Sequence, residues 1–313
     1  MRTLFLLILV LGISFTSTAQ VISVPNDQPT IQDGLNAASF GDTVLVAPGT
    51  YFENITWPNT NGIKLIAEGD TSDTFIDGSE IERVIHIQGH AIDTLTLIEG
   101  FTIQKGRGIG TYSGSGIFCE SSGVTISKCR MTDNTANIGG GLCFVEAMGV
   151  VTDCTIDKNI GNSVLAVGGL GADLHESSVV RFERCNIINN RAVYCRKILG
   201  CGLSVRSNST AHLYDCNISG NTAAVSSTGE SRGVGILLMQ SSNIRMTRCN
   251  VENNKSTASP KWCIGTAINV DSAEEVYFED VSIIGNEAAA PIESNMGIVH
   301  INSASSEFRN VSI

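Results

Sequence analysis

Three residues with acid, base and cationic side chains fall near one another if successive strands of the chain stack in register. Asp173 and His175 stand two residues apart, and Arg206 follows one repeat later. A carboxylate, an imidazole and a guanidinium could act as base, acid and charge stabiliser in a β-elimination. The same residue types also meet by chance on solvated surfaces. The sequence therefore leaves a catalytic trio and an ordinary surface cluster as alternatives.

A second candidate site is a row of hydrogen-bond donors at one repeat position. Arg181, His212 and Arg245 each stand four residues before a repeated cysteine, and Tyr214 lies beside them. Strands about 4.8 Å apart would space these donors evenly, so that they could hold the carboxylates of an acidic polysaccharide such as a uronan. The aromatic ring could pack against a sugar. The alternative is a solvated face whose charge is balanced by neighbouring glutamates.

A repeat of short segments must position both candidate sites. Each copy places a charged residue before a cysteine and an asparagine five residues after it, as in Asp-Cys-Asn-Ile-Ser-Gly-Asn at residues 215–221. Val281 replaces the cysteine in a later copy. The step between copies is 25 to 33 residues, which is typical of a solenoid. The copies with cysteine span residues 128–134, 153–159, 184–190, 215–221 and 248–254.

Apolar and polar residues alternate around these copies with the period of a strand. A small residue, usually glycine, precedes each cysteine by 13 or 14 positions. The positions expected to point inward carry no Asp, Glu, Lys or Arg, and Ser306 and His300 in the last copy are their polar exceptions. One turn buries too little apolar surface to offset its backbone entropy, so the turns must stack to fold.

The repeated asparagines and cysteines predict two internal columns. Asparagines in register at a turn can pass amide hydrogen bonds from one turn to the next. The five repeated cysteines are expected to be small apolar core residues, because stacked side chains point in parallel. Cys195 and Cys201 share one loop and could close it. The pairing of Cys119, Cys143 and Cys263 stays open.

The chain divides into three parts. Residues 1–19 have the basic start, apolar run and small residues of a secretory signal peptide. Residues 20–100 are expected to hold an N-terminal cap and less regular turns, including a short amphipathic helix from Ile31 with Thr30 as its N-cap. Residues 101–313 form the regular turns. Because Ile313 ends within a repeat, we expect a further C-terminal module or a partner to cover that edge.

The segments 31–35, 41–46, 48–51 and 74–78 resemble the start of the right-handed parallel β-helix proteins, the pectate-lyase-like superfamily, of the secreted bacterial type. This resemblance implies an all-β, right-handed parallel β-helix whose short N-terminal helix caps the first turn. It also implies polysaccharides as a substrate class. The catalytic motifs of polygalacturonases, pectin methylesterases and pectate lyases are absent, which lowers the expectation of an enzyme.

Charge and motifs restrict the function further. The net charge of −11 argues against general binding to nucleic acid or anionic lipid. No segment after the signal peptide is apolar enough to predict a membrane span, and the absence of zinc motifs predicts neither metal nor cofactor. We expect a secreted or cell-surface protein that binds polysaccharide or cell-surface glycan, or mediates adhesion. The alternative is a lyase or hydrolase acting on an acidic polysaccharide.

Overall fold

The structure, a computed structural model, describes residues 18–108, 114–163, 165–257, 262–288, 294–295 and 297–313. Short parallel strands form three stacks that run the length of a solenoid, and each complete turn adds one strand to each stack. The prediction of an all-β parallel β-helix is confirmed. The signal peptide predicted for residues 1–19 lies, up to residue 17, outside the described residues.

Stack 1 contains the strands that follow the glycine column. It is the stack that carries Asp173 and His175. Its strands are Ile55–Thr56, Ile85–Gln88, Ile117–Glu120, Leu142–Val145, Ala172–His175, Leu203–Val205 and Ile236–Met239.

Stack 2 contains the strands that precede the cysteine column, and it carries Arg181, His212 and Arg245. Its strands are Val21–Val24, Thr43–Val46, Lys64–Ala67, Leu97–Glu99, Gly123–Ser127, Met148–Thr152, Val179–Glu183, Thr210–Tyr214 and Asn243–Thr247.

Stack 3 contains the strands between the cysteine and asparagine columns. The long strands Ile268–Ile284 and Val299–Ser312 pass through all three stacks and pair with each other. The other strands of stack 3 are Gly49–Phe52, Thr74–Asp77, Thr102–Gln104, Arg130–Thr132, Thr155–Asp157, Asn186–Ile188, Asn217–Ser219 and Asn250–Glu252.

One short helix, Ile31–Ala37, packs against the first strands of the solenoid. Thr30 is its N-cap, and the Thr30 Oγ1 accepts a hydrogen bond of 3.0 Å from the Asp33 N–H. Ile31 and Leu35 are fully buried in the main core. The predicted capping helix is confirmed, because its apolar face covers core that the first turn would otherwise expose.

The cysteine column lies inside the solenoid, as expected. Its five members, Cys129, Cys154, Cys185, Cys216 and Cys249, are buried free thiols in the main core. Burial raises the pKa of the Cys129 thiol to about 12. These side chains therefore act as small apolar groups that fill the bend between stacks 2 and 3.

The asparagine column forms the predicted ladder. Asn190 shows the pattern, because its Oδ1 accepts from both the backbone N–H and the Nδ2 of Asn159 at 3.1 and 2.9 Å. Its own Nδ2 donates to the Ile156 carbonyl and to the Asn221 Oδ1. The same bonds join Asn134, Asn159, Asn190, Asn221, Asn254 and Asn286 in succession.

Glycine precedes stack 1 because neighbouring turns approach closely there. A Cβ on Gly171 would lie 2.4 Å from Ile187 Cγ2 and 2.5 Å from the Gly202 carbonyl oxygen. A Cβ on Gly202 would meet the Gly235 carbonyl oxygen at 2.5 Å. A large side chain would force the turns apart, which explains why this column contains glycine and, once, alanine.

The variable side loops form a fourth sheet with its own small core, which the sequence did not predict. Its strands are Ile160–Gly161, Ala166–Gly168, Arg191–Leu199, Thr222–Arg232, Lys255–Ser256, Trp262–Ile264 and Ser294–Asn295. We call it the side sheet. Cys195 and Cys201 are buried free thiols in this core, so the disulfide by which they could have closed their loop is not formed. Cys119, Cys143 and Cys263 are also free and buried.

The last turn is displaced by one residue from the register predicted from its glycine. Val299 and Ile301 pair with the inward residues Ile268 and Val270, whereas His300 pairs with Asn269 in an outward column. The polar exception at His300 therefore disappears, while Ser306 stays opposite the inward Val276.

The final edge of the solenoid exposes apolar surface. A cavity of about 260 Å³ there is lined by residues that include Phe278, Val299 and Phe308, and 79% of Ile313 is exposed. Covering of this edge by a module or a partner stays a prediction.

Candidate glycan-binding site

The predicted row of donors lies on adjacent strands of stack 2. Arg181 pairs in register with His212, and His212 with Arg245. The side chains therefore succeed one another at the strand spacing of about 4.8 Å. The next residue in the column is Tyr277, which pairs with Arg245. The structure thus brings the three predicted residues together and adds an aromatic residue to their row.

Each arginine of the row lies over an aromatic ring. The Arg181 guanidinium carbon is 4.9 Å from the Tyr214 ring centroid, and that of Arg245 is 4.0 Å from the Tyr277 centroid. These are cation–π distances. The rings hold the planar guanidinium groups in place while leaving them accessible, since 55% of the Arg181 side chain is exposed. The predicted partner Tyr214 therefore supports the row from beside it.

The charge of the row is partly balanced. Arg181 forms an ion pair with Glu183 on its own strand. Burial, followed by the nearby charges of Arg245 and Arg181, lowers the pKa of His212 below its usual value. Its imidazole is therefore neutral at neutral pH. The row presents two permanent cations separated by a neutral donor or acceptor, and Glu183 screens one of the cations.

The Asp173, His175 and Arg206 side chains also come together, but as a buried ion-paired cluster. The Asp173 carboxylate has no exposed surface, and only 10% of the Arg206 side chain is exposed. Arg206 Nη2 lies 2.9 and 3.0 Å from the two Asp173 carboxylate oxygens, and Nε lies 3.2 Å from one of them. A fully buried carboxylate held in this way cannot reach a polymer in solvent. The geometry favours a structural role for the pair.

His175 lies at the rim of this cluster. Its Nε2 is 3.2 Å from the Ser207 Oγ, and its Nδ1 is 3.6 Å from a Glu176 carboxylate oxygen. Burial, followed by the Arg206 charge, lowers the pKa of His175. The imidazole is half-buried, and the Asp173 carboxylate of the same cluster already bonds to Arg206. Catalysis by this trio stays a prediction that the burial does not support.

Two features of the sites escaped the sequence reasoning. Tyr277 stands four residues before Val281, so continuing the Arg181 column by one more turn would have found it. Arg83 and His86 belong to the irregular early turns, where no repeat marks their position. Both line a cavity of about 310 Å³.

Two further observations concern the described part of the chain only. None of its helices is long and apolar enough to cross a membrane. Within the same residues, no group of three or more His, Cys, Asp or Glu side chains is arranged to hold a metal ion.

The repeat matches a known protein family. A family model described as "Right handed beta helix region" matches residues 51–233 and 115–313, which together span most of the chain. The chain belongs to the right-handed β-helix family. None of the curated proteins compared with this β-helix protein matches it.

Solved structures share the fold at low identity. The pectin methylesterase from Aspergillus niger in deglycosylated form is 14% identical, covers 90% of this chain and 89% of its own, and has a TM-score of 0.48. Pectin methylesterase from carrot is 12% identical, with coverage of 94% and 89% and a TM-score of 0.35. The Azotobacter vinelandii mannuronan C-5 epimerase AlgE6 A-module is 12% identical, with coverage of 88% and 93% and a TM-score of 0.31. Scores below 0.5 carry no argument about function.

Proposed function

We propose that this β-helix binds an acidic polysaccharide along the outward face of stack 2. The observation that carries the proposal is the in-register row of Arg181, His212 and Arg245, with both arginines lying over tyrosine rings. The strand register sets the spacing of the row, and the rings set its orientation. A repeating donor row suits a repeating polymer, because successive carboxylates can meet successive turns.

The chemistry of the row matches a uronan better than a neutral glycan. Guanidinium groups bind carboxylates through two parallel hydrogen bonds, and such charge-assisted bonds are stronger than neutral ones. The chain as a whole carries a net charge of −11, which would repel a polyanion in the absence of a local cationic surface. Binding must therefore be confined to the row and must weaken as salt screens it.

A binding role fits the outward residues better than catalysis does. A polysaccharide lyase or hydrolase needs acid and base groups that reach the bond to be broken. In the one trio suggested by the sequence, the buried Asp173–Arg206 ion pair makes the carboxylate inaccessible to a polysaccharide. We therefore place the lyase or hydrolase second, and we propose adhesion or display outside the cell as the setting for binding, in keeping with the signal peptide expected at residues 1–19.

Retention on immobilised polysaccharides tests the proposal. The wild-type protein should bind polyuronate more tightly than neutral glycans, and Arg181→Gln/Arg245→Gln should reduce that binding at least about tenfold. The matched control is Arg184→Gln/Arg248→Gln, which removes the same charge from side chains of similar exposure in the neighbouring column.

Two results would contradict the proposal. Equal loss in both double variants would show that binding responds to net charge alone. Release of new reducing ends or unsaturated uronate from one substrate, measured in the same wells, would favour the enzyme instead.

A further inference from the structure

A cavity lined by two arginines lies on the early turns, away from the Arg181 row on stack 2. It has a volume of about 310 Å³, and its walls include Asn54, Thr56, Glu82, Arg83 and Arg107, as well as His86. His86 belongs to stack 1, two strands before Cys143 in the same outward column. The cavity therefore opens on a different face from the Arg181 row and is formed by different turns.

Packing fixes the inner wall of this cavity. The Arg83 guanidinium carbon lies 4.0 Å from the Phe118 ring centroid, and the His86 ring lies 5.3 Å from the same ring. Phe118 is only 3% exposed. The Asn54 Nδ2 donates to the carbonyls of Glu82 and Arg83, which ties together the chain segments on either side of the opening. The cationic wall is thus preorganised rather than a set of loose surface side chains.

Arg107 supplies a second and more accessible cation. It is exposed, and among the residues that the structure describes it takes part in no ion pair. Its backbone N–H donates to the Glu82 carbonyl at 2.8 Å, which holds this residue at the cavity. Arg107 also lines a neighbouring polar cavity of about 470 Å³ that includes Thr135, Asn137 and Asn162. A ligand that contacts Arg107 could extend from the first cavity into the second.

The charged and polar side chains that line the cavity favour one class of ligand. Two guanidinium groups suit a single carboxylate, whereas the Glu82 carboxylate at the same cavity opposes a dianion such as phosphate. Glu82 and Thr56 can bond to hydroxyl groups, as acceptor and as donor or acceptor. A cavity of about 310 Å³ lies at the lower end of the range for small-ligand sites.

We propose that this cavity binds a hydroxylated carboxylate about the size of one sugar unit, with Arg83 and Arg107 holding the carboxylate and Glu82 and Thr56 holding hydroxyl groups. A free sugar acid and the end unit of an acidic polysaccharide share this chemistry. The inference shares its ligand class with the proposed function but does not require the Arg181 row. Each site can therefore fail without the other.

Calorimetric titration of the purified protein tests the cavity. D-glucuronate and D-galacturonate are the probes, with D-glucose and inorganic phosphate as comparisons. We expect at least one uronate to bind, with glucose and phosphate at least about tenfold weaker. Arg107→Gln should weaken uronate binding about tenfold or more. Glu82→Gln should weaken uronate binding less, and it should reduce the difference in affinity between uronate and phosphate. Arg107 is exposed, so its replacement should not disturb folding.

Arg191→Gln is the matched control, because Arg191 is an exposed arginine on the side sheet. It should bind uronate as the wild type does, and Arg181→Gln/Arg245→Gln should as well. Displacement of bound uronate by a short oligouronide in that double variant would identify polymer ends as ligands of the cavity, whereas no displacement would restrict it to free sugar acids. Uronate binding no tighter than that of glucose or phosphate, or unchanged binding in Arg107→Gln, would overturn the proposal.

Discussion

The guanidinium of Arg206 bonds to both carboxylate oxygens of Asp173 across two neighbouring strands of stack 1, and the carboxylate is wholly inaccessible to solvent. This pair lies on the outward side of stack 1 and yet is buried. A buried ion pair is often no more stabilising than apolar side chains of similar volume. Removal of one partner, however, is strongly destabilising, because it leaves the other charge buried and unpaired. The pair therefore makes the folded state intolerant of single changes at either position.

We expect Asp173→Ala to lower the free energy of unfolding by about 3–5 kcal/mol, because it leaves the Arg206 charge buried without its partner. Urea denaturation measures the change. The control is Asp153→Ala, which removes the partner of Arg184 from an exposed ion pair and should cost about 0–1 kcal/mol.

Replacing both partners of the buried pair should recover much of this loss. Asp173→Leu/Arg206→Met exchanges two buried charges for apolar side chains, and such exchanges are often neutral or stabilising. A double variant that is as unstable as Asp173→Ala would contradict the assignment of the loss to an unpaired charge. It would indicate that packing around the pair dominates.

The asparagine ladder should be far more sensitive than its amide content suggests. Asn190→Ala removes an acceptor of two bonds from Asn159 and a donor to Asn221, all of them buried. Each buried group left unsatisfied costs about 1–3 kcal/mol, so we expect a total loss of about 3 kcal/mol or more. Asn186→Ala, at an exposed position four residues earlier, should change stability by less than about 0.5 kcal/mol. Similar losses in the two variants, measured by thermal or urea unfolding, would argue against the ladder.

The thiols should be protected by the fold alone. All ten cysteines are buried and free, and burial raises the pKa of the Cys119 and Cys129 thiols to about 12. Only the thiolate reacts quickly with alkylating or disulfide reagents. The native protein should therefore show almost no rapid thiol labelling, and the unfolded protein should show ten equivalents. Rapid labelling of the native state would contradict the burial of these ten thiols.

Stability should fall as the pH falls through the histidine range. The pKa values of His175 and His212 are both lowered, mainly by burial and then by neighbouring arginines. Asp173 and Glu176 oppose the shift at His175, and Glu275 opposes the shift at His212. The unfolded chain therefore binds these protons more readily, near a pKa of about 6.5. The stabilisation is present above that value and is lost as the pH falls through the lower folded pKa values.

Unfolding measured between about pH 7.5 and 5 checks this sign. The His175→Gln/His212→Gln variant should lose less stability over that interval than the wild type does. His90→Gln is the control, because His90 is exposed. An equal slope in the wild type and in the double variant would contradict the prediction.

The sequence was most informative wherever the repeat was regular. The cysteine and asparagine columns and the Arg181 row could be predicted because each turn repeats the same local environment. The capping helix was predicted from a local signal instead, its Thr30 N-cap and its apolar face. Tyr277 required only one further step of the same count. His300 was misplaced because its turn carries one additional residue between the glycine and the strand, which changes the face of the side chains up to Asn302. A register shift then restores the predicted pairing from Ser303 onward.

The side sheet could not be predicted in the same way. Its strands differ in length, and the register of Arg191–Leu199 against Thr222–Arg232 shifts between Ala192 and Lys197. Pairing of this kind depends on contacts about one turn apart in the chain rather than on a local pattern. The buried state of Asp173 was missed for a related reason, since strand alternation places it outward and only tertiary structure shows that the outward position is covered.

The side chains immediately before the cysteine column alternate in charge from one turn to the next. They are Lys128, Asp153, Arg184, Asp215, Arg248 and, before Val281, Asp280. Asp153 pairs with Arg184, and Asp215 with Arg248, at 2.7 Å in each case. Duplication of a single turn would place two like charges side by side in this column, whereas duplication of two adjacent turns would preserve the alternation. Insertion or deletion of two adjacent turns would therefore keep opposite charges next to one another along the column, whereas a change by one turn would not. Each pair adds only about 0–1 kcal/mol, so the column favours one order of the turns while contributing little to their stability.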